Sequence, residues 1–448
     1  MSYIPHTDED RRAMLAAIGV ERVEDLYPAI PADVRFPDLD LPEGVSEMEI
    51  VDELQVLSEA NIDTRHFACF LGAGAYNHFI PAAVDAVLRR GEFYTAYTPY
   101  QPEISQGTLQ AIFEYQSLIC NLTGMDVSNA SHYDGATALA EAVILALNHH
   151  RGKRRRVVLS PAVHPHYREV VRTYTQGMGL TVVGDDDCCR GPEELAKLLD
   201  ADTALVAVQY PDFFGHLRDF TALGEAAHAA GALLCVVANP LALGLLRPPS
   251  EFGADVVVGE GQPLGIPLSF GGPYLGLFTT KNEYVRKMAG RLVGQTTDSR
   301  GQRGFVLTLT PREQHIRREK ATSNICTNVA LMALASAVYL SLVGKQGLRT
   351  IAELCYHKAH YAADQIRGLK GYRLWNEGPF FHEFALACPR PVNEINDFLL
   401  SEYEILGGYD LGQSYPELKD HMLIAVTEVN TKEEIDDLVR GLREAAHD

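Results

Sequence analysis

Five short runs of mostly aliphatic residues dominate the middle of the chain: Val157-Val158-Leu159, Leu180 to Val183, Ala204 to Val208, Ala232 to Val237 and Ala254 to Val258, with Thr181 and Asp255 as the polar members. Each has the length of a strand but lacks the polar alternation of a strand with one wet face, so each must be buried on both sides. Roughly 20 residues separate successive runs, enough for a crossover helix such as Ala222 to Ala230, which Gly231 stops. The pattern calls for a mostly parallel sheet covered by helices, the large domain of an α/β fold.

This large α/β domain spans residues 61–320. Residues 1–60 form an acidic, proline-punctuated N-terminal helical arm, in which Met48, Val51, Leu54 and Leu57 recur at helical spacing and give one apolar face. Residues 321–448 hold a connecting helix (324–368) and a small C-terminal α+β domain. Its strands are expected at Phe380 to Ala387 and Met422 to Thr427, and its helices at Val392 to Leu400 and Lys432 to Ala446.

Charge removes one class of partner. Lys and Arg number 39 against 59 Asp and Glu, a net of −20, whereas a phosphate-backbone binder needs clustered cations to displace counterions. No nucleic acid is expected. The 8 cysteines form no C-x-x-C pair and sit mostly in apolar surroundings, which removes zinc and disulfide scaffolds; no metal is expected. The start of the chain has no basic, apolar-cored leader, and no run of about 18 apolar residues offers a membrane span. A cytoplasmic location is expected.

Several polar segments interrupt the apolar text. Phe70 to Pro81 places Gly72 and Gly74 before Asn77 and His78, where glycines permit a tight turn or a close approach to a ligand; by itself a G-x-G is weak evidence, and an ordinary loop is the favoured reading. Tyr94-Thr95-Ala96-Tyr97-Thr98-Pro99-Tyr100-Gln101-Pro102 is the densest patch of hydrogen-bonding side chains. Its prolines stiffen an extended loop, and its tyrosines offer flat faces with polar tips, suited to a small ligand or another subunit. Ser131, Asp134, Gly135 and Thr137 lead into an apolar helix, either as a plain cap or as an anion site built on backbone N–H groups. Gly259 to Pro273 follows a buried strand and carries no lysine, histidine or cysteine. Arg312 to Asn328 combines an ion-pairing front half with a helix start at Thr322, Ser323 or Asn324.

In this order and spacing, the Tyr-rich loop and the Arg-Arg-Glu-Lys-Ala-Thr-Ser-Asn-Ile-Cys-Thr stretch (317–327) resemble the P-protein of the glycine cleavage system. More narrowly, the chain resembles the alpha subunit, or subunit 1, of organisms that divide this enzyme into two chains. The resemblance implies an aspartate-aminotransferase-like fold, that of type I pyridoxal-phosphate-dependent transferases. It implies decarboxylation of glycine, with the aminomethyl group passed to the lipoyl arm of H-protein.

Two departures from the catalytic version of the fold stand out. Counting back from Ile266-Pro267, the place of the Schiff-base lysine holds Gln262, whose amide cannot form an imine. The aspartate that pairs with the pyridinium nitrogen lies three residues before an asparagine, here Asn239, so its place holds Val236. The resemblance therefore implies a degenerate half of an enzyme. Pyridoxal 5′-phosphate is expected on a partner beta subunit in an α2β2 heterotetramer, with none covalently on this chain. Tyr94, Tyr97, Thr98, Tyr100 and Gln101 are expected to line the shared pocket or its entrance, with Asn77 and His78 as weaker candidates. The competing expectations are a stand-alone enzyme of the same fold with another specificity, and a scaffold that only orders the beta subunit.

Overall fold

The structure is a computed structural model and describes residues 5–188, 190–325, 327–375 and 378–446. Two compact units emerge, 1–62 and 63–448. In the first, α1 (Asp8–Ile18) and α2 (Glu47–Glu59) each begin with a capping box, Thr7 with Asp10 and Ser46 with Glu49. The apolar face expected on α2 forms, but Met48, Val51, Leu54 and Leu57 all remain exposed.

The second unit is built on a seven-stranded sheet of β1 (Val127–Ser128), β2 (Arg156–Leu159), β3 (Thr181–Val183), β4 (Thr203–Tyr210), β5 (Leu233–Ala238), β6 (Val256–Glu260) and β7 (Gly276–Thr280), in the order β1-β7-β6-β5-β4-β2-β3. Neighbours from β3 across to β6 pair in parallel, and only β7 opposes its two neighbours. The five apolar runs supply β2 to β6. Strand β5 shows why they lack polar alternation. Cys235 and Val237 pack in the cluster of helix α4 (Gly135–His149), while Leu234 and Val236 pack on the opposite face with Leu223 of α6 (Thr221–Ala230) and with Phe252. Helices α3 (Gln106–Thr123) and α5 (Pro165–Thr175) complete the set that positions the site.

A hairpin of β8 (Leu292–Thr297) and β9 (Arg303–Thr308) follows the sheet. The long helix α7 (Ala330–Arg367) then changes direction at Gly344, whose φ of 60° and ψ of −175° are not helical. Its first half packs with Tyr115, Ile119 and Leu264, and its second half, through Ala359, Ala362 and Ile366, with the small C-terminal sheet. That antiparallel sheet, in the order β10-β11-β13-β12, comprises β10 (Arg373–Leu374), β11 (Glu383–Ala387), β12 (Tyr409–Asp410) and β13 (His421–Ala425). Helices α8 (Val392–Tyr403) and α9 (Lys432–Ala445) cover it.

Two expectations need correction. Helix α7 starts at Ala330, not at Thr322 to Asn324, because tertiary contacts hold the intervening segment. The Ser323 hydroxyl bonds the Glu141 carboxylate, and the Val329 N–H donates to Ser131 Oγ at 3.0 Å. Helix α7 also has the length and mean hydropathy of a membrane span, contrary to the expectation of none. Its apolarity comes from alanines mixed with larger residues, and many of them lie in the core just described.

Candidate active site

At the C-terminal ends of β4, β5 and β6, where open α/β sheets hold their ligands, lies a cavity lined by Gln209, Val237, Ala238, Asn239, Glu260, Pro263, Gly74, Tyr76, His164 and Tyr167. Its floor is ordered by the loop after residue 70. Gly72 has a φ of +55°, and a Cβ there would lie 2.3 Å from the Ala425 Cβ, so only glycine lets the loop pass β13. The carbonyl of Ala73 accepts from His164 Nε2 at 2.9 Å, and His164 Nδ1 accepts the N–H of His166 at 3.1 Å. One ring nitrogen donates while the other accepts, which defines the neutral tautomer. Burial agrees, pushing the His164 pKa down to about 4.

Gln262 is buried and fully engaged. Its Oε1 accepts the Tyr76 N–H at 2.9 Å, and its Nε2 donates to the carbonyls of Tyr76 (2.9 Å) and Ile266 (2.8 Å). The amide therefore bridges the two loops that border the cavity. Nearby, the Glu383 carboxylate accepts the Tyr76 hydroxyl at 2.6 Å and the Ala73 N–H at 2.8 Å. Val236 lies in the apolar cluster with Val206, Val208 and Leu234, whereas Val237, Ala238 and Asn239 reach the cavity wall.

The decisive group is Glu260, which carried no signal in the sequence. Its Oε1 accepts the N–H groups of Gln262 (3.1 Å) and Leu275 (2.9 Å), and its Oε2 accepts that of Gly135 (3.0 Å), at the start of α4. Asp134 caps the same helix by accepting the Thr137 N–H at 2.8 Å, and a Cβ on Gly135 would lie 2.4 Å from the Tyr167 hydroxyl. Ser131 is committed elsewhere, to Val329. The N-terminus of α4 thus holds the chain's own carboxylates where a phosphate would otherwise sit. Burial raises the Glu260 pKa to about 7.

These residues do not fit pyridoxal phosphate. The cavity offers about 40 Å³, room for a few waters. The N–H donor at Gly135 is already used, and no lysine lies between 198 and 280.

The Tyr-rich loop lies apart from this cavity's lining. A short helical turn, Gly91–Tyr94, leads into it. Tyr94 and Tyr97 are 67% and 80% exposed, and Gln101 is exposed. Thr98 is half-buried, with its hydroxyl unpartnered, and Pro99 is buried. Tyr100 accepts a hydrogen bond from Arg291 at 2.8 Å. His78 departs from the expected surface position. Its side chain is buried, Nδ1 lies 2.7 Å from Glu428 Oε2, and Cys355 Sγ lies 3.3 Å from the same oxygen. The neighbouring Asn77 carbonyl accepts the Thr427 hydroxyl. Both residues tie the loop to the turn after β13. The Arg312 motif also pairs at long range: its guanidinium donates to the carbonyls of Met288 and Gly290.

The profile of the glycine cleavage system P-protein family matches residues 1–442. The chain belongs to this family. Among curated relatives, the probable glycine dehydrogenase (decarboxylating) subunit 1 of Thermomicrobium roseum is 58% identical, across 99% of this chain and 100% of its own length. Its namesake from a Geobacillus strain is 52% identical, across 98% of each chain. The crystal structure of a glycine decarboxylase P-protein in inhibitor-bound form superposes with a TM-score of 0.89 at 43% identity, covering 99% of this chain and all of that one. Mouse CSAD shares the fold at a TM-score of 0.68 and 15% identity. The P-protein relatives thus match end to end.

Proposed function

We propose that this chain is the subunit of a glycine decarboxylase that lacks the cofactor-anchoring lysine, acting only when assembled with a lysine-bearing beta subunit, as α2β2. In this reading the assembly decarboxylates glycine and passes the aminomethyl group to the lipoyl arm of H-protein, in the cytoplasm. The names of the end-to-end relatives support the reaction. The observation that carries the division of labour is the Glu260 carboxylate, held by three backbone N–H groups in a cavity of about 40 Å³. A cleft this small, whose backbone donors are already taken by Glu260, leaves cofactor binding to the partner, so no step of the reaction is assigned to it.

What this chain contributes is a surface. Tyr94 and Tyr97 stand outward on a loop anchored by buried Pro99 and by the bond from Arg291 to Tyr100. Flat amphipathic side chains on a fixed backbone suit the wall of a pocket completed by another subunit. Thr98 and Gln101 belong to the same wall, while Asn77 and His78 hold its neighbouring loop in place. The test is glycine-dependent carbon dioxide release with each purified chain alone and with both together. Activity is expected only from the mixture; release by this chain alone would refute the reading.

A further inference from the structure

Arg291 immediately precedes β8, and only 3% of its side chain is exposed. One of its nitrogens, Nη2, donates to the Tyr100 hydroxyl, and its guanidinium carbon lies 5.3 Å from the Tyr100 ring centroid. The other two, Nε and Nη1, are buried and have no hydrogen-bond partner. Glu313 makes only long ion pairs: its Oε2 stands 3.7 Å from Arg291 Nε and 3.6 Å from His315 Nδ1, beyond hydrogen-bond distance. A second guanidinium, Arg312, lies beside it and donates only to backbone carbonyls. Glu141 is held by Ser323 on the wall of an adjacent cleft.

One buried and one half-buried guanidinium therefore share one loosely placed carboxylate, Glu313, which leaves one positive charge in excess. A buried charge without a partner is strongly unfavourable, and Arg presents paired donors that match a carboxylate. Arg291, Arg312 and Glu313 line a cavity of about 20 Å³, with Asn328 on the same wall. Asn328 Nδ2 is also buried and unpartnered. That space takes one or two water-sized groups, which suits the two oxygens of a carboxylate better than the four of a phosphate.

We propose that Arg291, backed by Arg312 and Asn328 and gated by Tyr100, is a binding site for a carboxylate supplied from outside the chain. The source is either the carboxylate of the substrate glycine or an acidic side chain of the partner subunit. The choice between these sources rests on the function proposed above; the site itself does not.

The first arm uses the full chain alone, with acetate as the probe. Thermal unfolding is followed in sodium acetate and in sodium chloride at equal ionic strength. Acetate is expected to raise the melting temperature of the wild type saturably, to do so less for R291K, and to have no effect beyond chloride on R291Q. Equal melting temperatures of the wild type in the two salts, or an equal acetate gain in R291Q, would overturn the site whatever the enzyme does. The second arm uses the chain assembled with the beta subunit. A rise of about tenfold or more in glycine KM for R291K, at little-changed kcat, identifies the substrate as the source. An equal rise in the subunit dissociation constant at unchanged KM identifies the partner. If neither changes, the proposal fails.

Discussion

Gln262 accepts one hydrogen bond and donates two, all to backbone groups of the loops beside the cavity. Replacing it with leucine strands one N–H and two carbonyls in a buried place, so Gln262→Leu is expected to cost about 2–4 kcal/mol of stability, read from urea unfolding. Glu383 gives a pH dependence of known sign. Burial pushes its carboxyl up to about 7 from an ordinary 4.5. The folded chain therefore keeps a proton that the unfolded chain releases earlier, and stability falls as pH rises from about 4.5 through 7, then levels off. Glu260, also raised to about 7, acts in the same direction. Glu383→Gln should flatten the slope, and its urea midpoint should lose less between about pH 5 and pH 8 than that of the wild type; an unchanged slope would count against Glu383. Gln262 was singled out in the sequence because the family resemblance pointed to its place. Glu260, two residues earlier, was not, because its meaning depends on Gly135, 125 positions away in the chain.

At the scale of elements, the turn at Gly72 and the Tyr-rich loop carry the testable content. Gly72→Ala combines a positive φ with a Cβ 2.3 Å from that of Ala425, both ends being fixed. It should destabilise by more than about 1 kcal/mol and show as a lowered melting temperature. In the loop, Tyr97→Phe and Tyr100→Phe should each lower turnover of the assembled enzyme while leaving the isolated chain's melting temperature within a few degrees; unchanged kinetics for both would remove the loop from the shared pocket. Strand β3 departs from the expected burial on both faces, since at the sheet edge Thr181 is exposed and Val182 and Val183 are only half-buried. The other four of the five parallel strands could be read because burial on both faces leaves a run of mostly aliphatic residues. Strand β7, Gly-Leu-Phe-Thr-Thr, could not: it runs antiparallel near the sheet edge, and its threonine hydroxyls are satisfied by the carbonyls of Val257 and Asp255. The start of α7 was misread for a similar reason. Upstream of it, Ser323 and Val329 are held by Glu141 and Ser131, which local sequence does not reveal.

At the scale of the whole molecule, the fold carries a small cleft whose backbone donors are taken by its own carboxylate and, apart from that cleft's lining, an exposed loop of tyrosines. In the proposed reading, the side chains at 260 and 262 leave the cofactor to a partner chain. The net charge of −20 bears on the same division. If the carrier is acidic, as the family resemblance implies, such a surface would repel it, so docking of H-protein is expected mainly on the partner subunit or on a local basic patch such as the run from Arg151 to Arg156; an apparent affinity unchanged by charge reversal at Arg151, Arg154 and Arg155 would count against that patch. The central claim is tested most directly by asking which chain holds the cofactor. The assembled complex is loaded with pyridoxal phosphate and reduced with borohydride, and the mass of each chain is measured. The cofactor's added mass is expected on the beta subunit and absent from this chain; its attachment to this chain would contradict the account.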